Sequence, residues 1–489
     1  MIIEIILILV YSLFLLFIFM YSLSQFDVLM KFKKRKSSIS KYIIDESFTP
    51  TVTIQLPIYN EKYVVERLID SICRIEYPLQ KLQIQILDDS TDETSQLIEQ
   101  KVSHYKRLGF DIEHIRREDR RGFKAGALAY GMALVKGDFI AIFDADFLPT
   151  TGFLKNNIGY FINSKVGVVQ TPWKHLNENH SLLTKLQAFG LDAHFSIEQG
   201  GRNNGDHFIN FNGTAGIWRK WCIEQSGGWS AETLTEDLDL SYRAQLAGWK
   251  FLFNPAVGSP AELPINIAAL KTQQYRWTKG AAECARKNLK NLIYSDQSNS
   301  TKIHGIFHLL NSFIFIAIAF TAILSVPLMI VKYNNPELNW VFNSGLVFLI
   351  SFGILGYYYW ESIKYNNVKS NRKLLFFSAY FPIFLSFSMG LSVRNGIGVI
   401  EGYMGRKTPF VRTPKFNIVN NSDTFLGKSY LKSGFSIITM IEILLTFYFL
   451  SAILLAFVLN DFGLLPLHVL LFVGFGGILF ISAKHALAR

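Results

Sequence analysis

Phe139-Ile140-Ala141-Ile142-Phe143-Asp144-Ala145-Asp146 is a run of β-prone apolar residues that stops on two carboxylates one residue apart. The same pattern occurs upstream, where Gln83 to Leu87 is followed by Asp88 and Asp89. Two further β-rich runs, Thr51 to Pro57 and Val166 to Gln170, flank these, and Tyr63 to Cys73, Thr94 to Leu108 and Lys124 to Val135 carry helical periodicity. Strands and helices in alternation predict βαβ units and a mainly parallel sheet, with ligands bound beyond the carboxyl ends of the strands.

The position of the acids suggests their chemistry. An isolated Asp-x-Asp is ordinarily a solvated turn. At the end of an apolar strand, Asp144 and Asp146 can instead present oxygens to one hard cation, Mg²⁺ or Mn²⁺, which is usually held by one or two carboxylates plus substrate phosphates. A nucleotide diphosphate is the natural second ligand set. Pro57-Ile58-Tyr59-Asn60-Glu61 ends the first strand and opens a helix, where backbone N–H groups and an amide can meet a base or ribose. Lys124, in Gly122-Phe123-Lys124-Ala125-Gly126, stands at a helix start and can offset diphosphate charge.

Half of the 489 residues are hydrophobic, but unevenly so. They concentrate at Ile2 to Tyr21 and beyond residue 303, whereas 31–300 reads as a soluble domain. The net charge of +11 sits beside the apolar runs, as in Lys31, Lys33, Lys34, Arg35 and Lys36, which is the positive-inside pattern and argues against nucleic acid as a partner. Cys73, Cys222 and Cys284 show neither metal spacing nor a disulfide framework, which fits a reducing compartment. The first apolar stretch lacks a basic n-region and a small-residue cleavage site, so a retained span with its short N-terminus outside is expected. Ile303 to Val331, Trp340 to Trp360, Ile437 to Leu459 and Leu464 to Ser482 are each long enough to cross a bilayer. Leu374 to Ile400 contains Pro382, Arg394 and Asn395, and lies between two basic loops, 362–373 and 402–432. With both flanks on the cytoplasmic side it is read as interfacial or re-entrant, which leaves five spans; a sixth span is the alternative. The expected domains are a transmembrane helix at 1–24, a basic linker at 25–50, a catalytic domain at 51–300 and a membrane region at 301–489.

Together these residues resemble the family 2 glycosyltransferases of GT-A fold, specifically the processive cellulose-synthase-like branch. Thr235-Glu236-Asp237 looks like the TED motif, Gln273-Gln274-Tyr275-Arg276-Trp277 like QxxRW, and Phe211-Asn212-Gly213-Thr214 like the FxGT acceptor segment. The stretches Phe211 to Gly216 and Gln273 to Trp277 look similar to the plant mannan-synthase-like group. The resemblance implies an α/β GT-A domain joined to an α-helical transmembrane region. It implies donor binding by Tyr59, Glu61, Asp88, Asp89, Lys124, Asp144, Gln273 and Arg276, with Asp88 and Asp89 at the nucleoside end and Asp146 on the metal assisted by Asp144. Asp237, beside Glu236, becomes the general base, and Gly213, Thr214 and Trp277 face the acceptor. A guanidinium suits phosphate oxygens and an indole offers a flat face to a sugar, so Arg276 and Trp277 fit those roles chemically as well; an interfacial helix would also favour them. Phe410-Val411-Arg412-Thr413-Pro414-Lys415 resembles the FxVTxK gating loop, with Phe410, Thr413 and Lys415 in register and Arg412 where the family often has valine.

The expected enzyme is a membrane-embedded inverting transferase that moves mannose or glucose from a nucleotide-diphosphate sugar, GDP-mannose or UDP-glucose, onto a growing β-linked glycan. It would act in the lipid bilayer, with its catalytic domain cytoplasmic and a bacterial inner membrane favoured over the Golgi. The alternative is transfer of one sugar to a membrane lipid, as in ceramide glucosyltransferases; a nucleotide-sugar transporter or receptor fits the carboxylate set less well. No cyclic-nucleotide-binding domain follows the last span, and one span precedes the catalytic region, a layout closer to the mannan-synthase-like group than to bacterial cellulose synthases. Oligomeric state is not legible.

Overall fold

The computed structural model describes residues 2–34, 45, 47–366, 373–420, 423, 424, 428 and 437–487. Parts of the expected linker and of the 402–432 loop, and the basic residues Arg35, Lys36, Lys369, Arg372, Lys432 and Arg489, lie outside them.

The catalytic region is built on a seven-stranded sheet of order β3-β2-β1-β4-β7-β5-β8, with β1 Val52–Ile58, β2 Leu82–Asp88, β3 Asp111–Arg116, β4 Phe139–Ile142, β5 Val166–Gln170, β7 Gly216–Arg219 and β8 Lys250–Phe253. A separate parallel pair joins β6 Trp173–His175 to β9 Ser259–Ala261. Every residue of β2, β4 and β5 is buried, as expected of parallel strands covered on both faces. Polar side chains within them pair across the ladder: Thr53 donates to Gln83 at 2.8 Å and Gln55 to Gln85 at 2.9 Å. The mainly parallel sheet thus agrees with the sequence pattern.

One feature departs from that pattern. β7 runs antiparallel between β4 and β5, so it begins where β4 ends. The Ala215 amide donates to the Ile142 carbonyl at 2.9 Å, which sets the Phe211-Thr214 segment against the Asp144-Asp146 turn. The TED motif opens the helix Glu236–Leu246, where the first-turn carboxylates meet the positive end of the helix dipole. The helix Ile267–Ile293, capped by Asn266 accepting from the Ala268 amide at 2.8 Å, carries Gln273, Arg276 and Trp277 on one face at i, i+3 and i+4.

Among the described residues, six helices are long and apolar enough to cross a membrane: Ile2–Lys33, Phe313–Asn334, Pro336–Tyr365, Lys373–Gly390, Ile437–Val458 and Leu465–Ala486. The first runs straight through the expected boundary at residue 24, because Val28 and Leu29 are buried against the catalytic domain and Asp27 accepts from His304 at 2.7 Å. The expected segment 374–400 is two helices, Lys373–Gly390 and Ser392–Tyr403. Phe384 of the first rests on Phe189, and the second packs along the 267–293 helix, with Gly398 against Tyr275.

Candidate functional site

A cleft opens at the carboxyl ends of β1 and β4 and is lined by Tyr59, Glu61, Asp89, Lys124, Asp144, Asp146, Gly213, Glu236, Asp237, Gln273, Arg276, Trp277, Phe410, Thr413 and Lys415. Eight separate stretches of chain therefore converge on one place. Lys124 joins two of them, donating to Asp144 Oδ1 at 2.5 Å and to the Gly213 carbonyl at 2.9 Å. Burial alone would lower its pKa, but the Asp144 and Glu236 carboxylates outweigh that and raise it. Gly213 has a φ of +79°, and a Cβ there would lie 3.0 Å from Asp237 Oδ2. The bare glycine leaves the Asp237 carboxylate open on the side facing Lys124.

Burial and then the charge of Glu236 push the Asp237 carboxyl up to about 7. Glu236 is itself raised by burial, against the pull of Lys124. A carboxylate whose conjugate acid is raised to about 7 is basic enough, once ionised, to take up a proton near neutral pH, as a general base requires. Across the cleft, Trp277 lies 6.2 Å from Trp173, and the two indoles tilt at 55°. The guanidinium of Arg276 sits 4.5 Å over the Phe410 ring, and that ring stacks on Phe123.

The loop 410–418 closes over this cleft. Arg412 pairs with Glu61 at 2.8 Å and Lys415 with Asp146 Oδ2 at 2.7 Å. Burial raises the Glu61 carboxyl to about 8 despite Arg412 beside it. At the other rim, the Arg120 guanidinium covers the Tyr59 ring at 3.3 Å, and Arg117 grips both oxygens of Asp89 at 2.7 and 2.6 Å.

Two expected residues do not reach the cleft with their side chains. Asp88 is buried beneath it, accepting from His114 at 2.9 Å, Ser90 at 2.8 Å and Ser95 at 2.5 Å. Burial pushes its pKa up, but these bonds prevail and lower it. Its carboxylate braces the strand end, whereas Asp89 lines the cleft. Thr214 is likewise fully buried, its hydroxyl accepting from the Asp144 amide at 3.0 Å, so its side chain supports the Asp144 turn.

Arg117, Arg120, Arg412 and Glu262 at this site were not singled out as site residues from the sequence. Arg117 and Arg120 follow β3 just as the acids follow β2 and β4, so charge after a strand end was a readable signal. Glu262 also follows a strand, but β9 has only three residues and contains Pro260, which disguises it.

Residues 50–280 match the family described as Glycosyltransferase like family 2. The chain is 40% identical over 272 residues to the probable glucomannan 4-beta-mannosyltransferase 4 of Oryza sativa subsp. japonica, covering 55% of this chain and 49% of the relative. It is 41% identical over 271 residues to the glucomannan 4-beta-mannosyltransferase 7 of Arabidopsis thaliana, covering 54% and 48%. The chain thus spans about half the length of the curated relatives it matches. The solved structure of the mannosyltransferase PcManGT from Pyrobaculum calidifontis, in complex with GDP-Man and Mn²⁺, superposes with a TM-score of 0.54 over 82% of this chain and 100% of its own. Its sequence identity of 15% makes that a likeness of fold. The fold is GT-A, and residues 50–280 of this chain are a family 2 glycosyltransferase domain.

Proposed function

We propose that the chain is a membrane-embedded inverting hexosyltransferase that transfers mannose from a nucleotide-diphosphate sugar, GDP-mannose, to a growing β-linked glycan. The observation that carries the reading is Asp237, raised to about 7, facing the Asp144-Asp146 turn across the opening left by Gly213. The names of the plant relatives favour mannose over glucose and a polysaccharide over a single-sugar lipid.

In this reading the donor diphosphate lies between Arg276 and the Asp144-Asp146 turn, and the acceptor sugar rests on Trp277. Asp237 takes the proton of the acceptor hydroxyl as its oxygen attacks the anomeric carbon from the face opposite the leaving diphosphate. One displacement inverts the configuration. The residues suit a divalent cation: the Lys415 ammonium, 2.7 Å from Asp146, shows a positive charge accommodated at that carboxylate. Asp146, with Asp144, would hold Mg²⁺ or Mn²⁺, which supplies charge to offset the departing diphosphate.

Contacts also support a topology. The 350–365 helix ends on the catalytic domain, with Ser362 at 3.2 Å from Ser196, and the 410–418 loop enters the cleft of the same domain. The two helices between them therefore make no net crossing. We read five spans with the catalytic domain on the cytoplasmic side, where the basic loops lie.

The test is the Asp237→Asn enzyme, purified and supplied with GDP-mannose. Transfer should be lost while donor binding persists; unchanged turnover would overturn the assignment of the base. A panel of sugar nucleotides with wild-type protein should give a water-insoluble or high-mass mannan, and a chloroform-soluble monoglycosyl lipid as sole product would overturn the polymer reading.

A further inference from the structure

Glu262 touches both the metal-side carboxylate and the loop that closes on it. Its backbone N–H donates to Asp146 Oδ2 at 3.2 Å, and its carbonyl accepts from Lys415 Nζ at 2.6 Å. Its carboxylate accepts the Phe416 amide at 2.8 Å and the Ile418 amide at 3.2 Å, with Arg67 at 3.5 Å from the same group. Glu262 is buried, as are Phe416 and Ile418, which pack with Ile265. The 416–418 segment is thus pinned at its backbone, and Lys415, the residue next to the pin, cannot leave with the loop as a whole.

We propose that Glu262 is a positioning residue that fixes Lys415 as a built-in counter-cation for Asp146, a charge the incoming divalent cation must displace. The proposal rests on the reading of Asp146 as the metal carboxylate. A buried carboxylate without a partner is costly, and Asp146 stands close to two more, Glu61 and Glu262, which burial raises first and the charge of Asp146 raises further. Lys415 relieves that cost in the donor-free state and keeps the carboxylate directed into the cleft. A cation arriving with the donor brings two charges where the lysine has one. It therefore replaces the ammonium, which can turn towards phosphate oxygens while its backbone stays pinned. A cation arriving without the donor has nothing to repay the displaced lysine, so the enzyme resists loading with bare metal.

The consequence is measurable without turnover. Mn²⁺ binding to the purified full-length protein, read from loss of the free-ion electron paramagnetic resonance signal at about pH 8 without nucleotide, should be about tenfold tighter in Lys415→Met than in wild type, a factor within the range of close charge-pair couplings. Lys415→Arg, which keeps the charge, should match wild type. Glu262→Ala, which frees the pin, should also tighten Mn²⁺ binding and speed trypsin cleavage after Lys415, and it serves as the test if Lys415→Met fails to fold. Equal Mn²⁺ affinity in Lys415→Met and wild type, with binding still lost in Asp146→Asn, would overturn the counter-cation and leave the catalytic reading standing. Unaltered Mn²⁺ binding in Asp146→Asn would overturn the metal assignment itself.

Discussion

Asp237 is held at a thermodynamic cost. Its folded carboxyl titrates at about 7, whereas an aspartate in an unfolded chain titrates near about 3.9. Between those values the folded chain keeps a proton that the unfolded chain has released, so this group's stabilisation is complete at low pH and is lost as pH rises through the window. Asp237→Asn carries no such penalty. Besides losing turnover, it should melt on the order of 2 °C higher than wild type at about pH 8, with the difference closing below about pH 4. A less stable Asp237→Asn at pH 8 would contradict the burial argument. Turnover of the wild type should rise as pH climbs through about 7, because the base acts deprotonated, and a pH–rate profile reads this directly. Gly213→Ala places a methyl 3.0 Å from Asp237 Oδ2 and 3.3 Å from Lys124 Nζ on a left-handed backbone. It should cost about 1 kcal/mol in stability and at least about tenfold in kcat, measured by denaturant titration and initial rates.

Packing between helices holds the acids in place. A Cβ on Gly280 would lie 2.6 Å from Thr235 Cγ2, so the bare face of the 267–293 helix lets the turn before Glu236 sit directly on it. Gly280→Ala should push that turn away, lowering kcat while leaving donor affinity nearly intact, and destabilising by roughly 1–3 kcal/mol; a change in donor affinity alone would contradict this. The same packing explains what the sequence could and could not reveal. β1, β2, β4 and β5 were legible as short β-rich runs, two of which, β2 and β4, stop on paired carboxylates, Asp88-Asp89 and Asp144-Asp146. The antiparallel insertion of β7 was not, since strand order is a property of long-range pairing and leaves no local trace. The side-chain directions of Asp88 and Asp89 were equally hidden: adjacent residues at a strand end point to opposite faces, and only the partners His114 and Arg117 show which face is the cleft. The 374–400 segment held Pro382 and three scattered glycines, Gly390, Gly396 and Gly398, which marked irregularity but not the break at residue 391 that separates two helices.

At the scale of the molecule, polar groups mark the far end of the helical bundle. Lys332 pairs with Asp461 at 2.8 Å, and Asn335 donates to Glu4 at 3.3 Å, both at the end remote from the catalytic domain. Glu337 and Lys407 should accordingly stand on opposite sides of the membrane. Cysteines placed there in turn should be labelled by an impermeant maleimide from opposite faces of sealed vesicles; labelling of both from one face would overturn the five-span reading. The N-terminal helix spans the whole distance, running 32 residues without interruption. At ~1.5 Å per residue it is about 48 Å long, some 18 Å more than the ~30 Å hydrocarbon layer. The excess is a rigid spacer that sets both the height of the catalytic cleft above the lipid and its rotational phase about the helix axis. One residue inserted after Leu23 would turn everything beyond it by ~100° and swing Asp27 away from His304, whereas seven, close to two full turns, would nearly restore the phase and only raise the domain by ~10 Å. Activity that oscillates with insertion length, rather than declining smoothly with it, would be the signature of a protein whose distance from its membrane is built in as a fixed dimension.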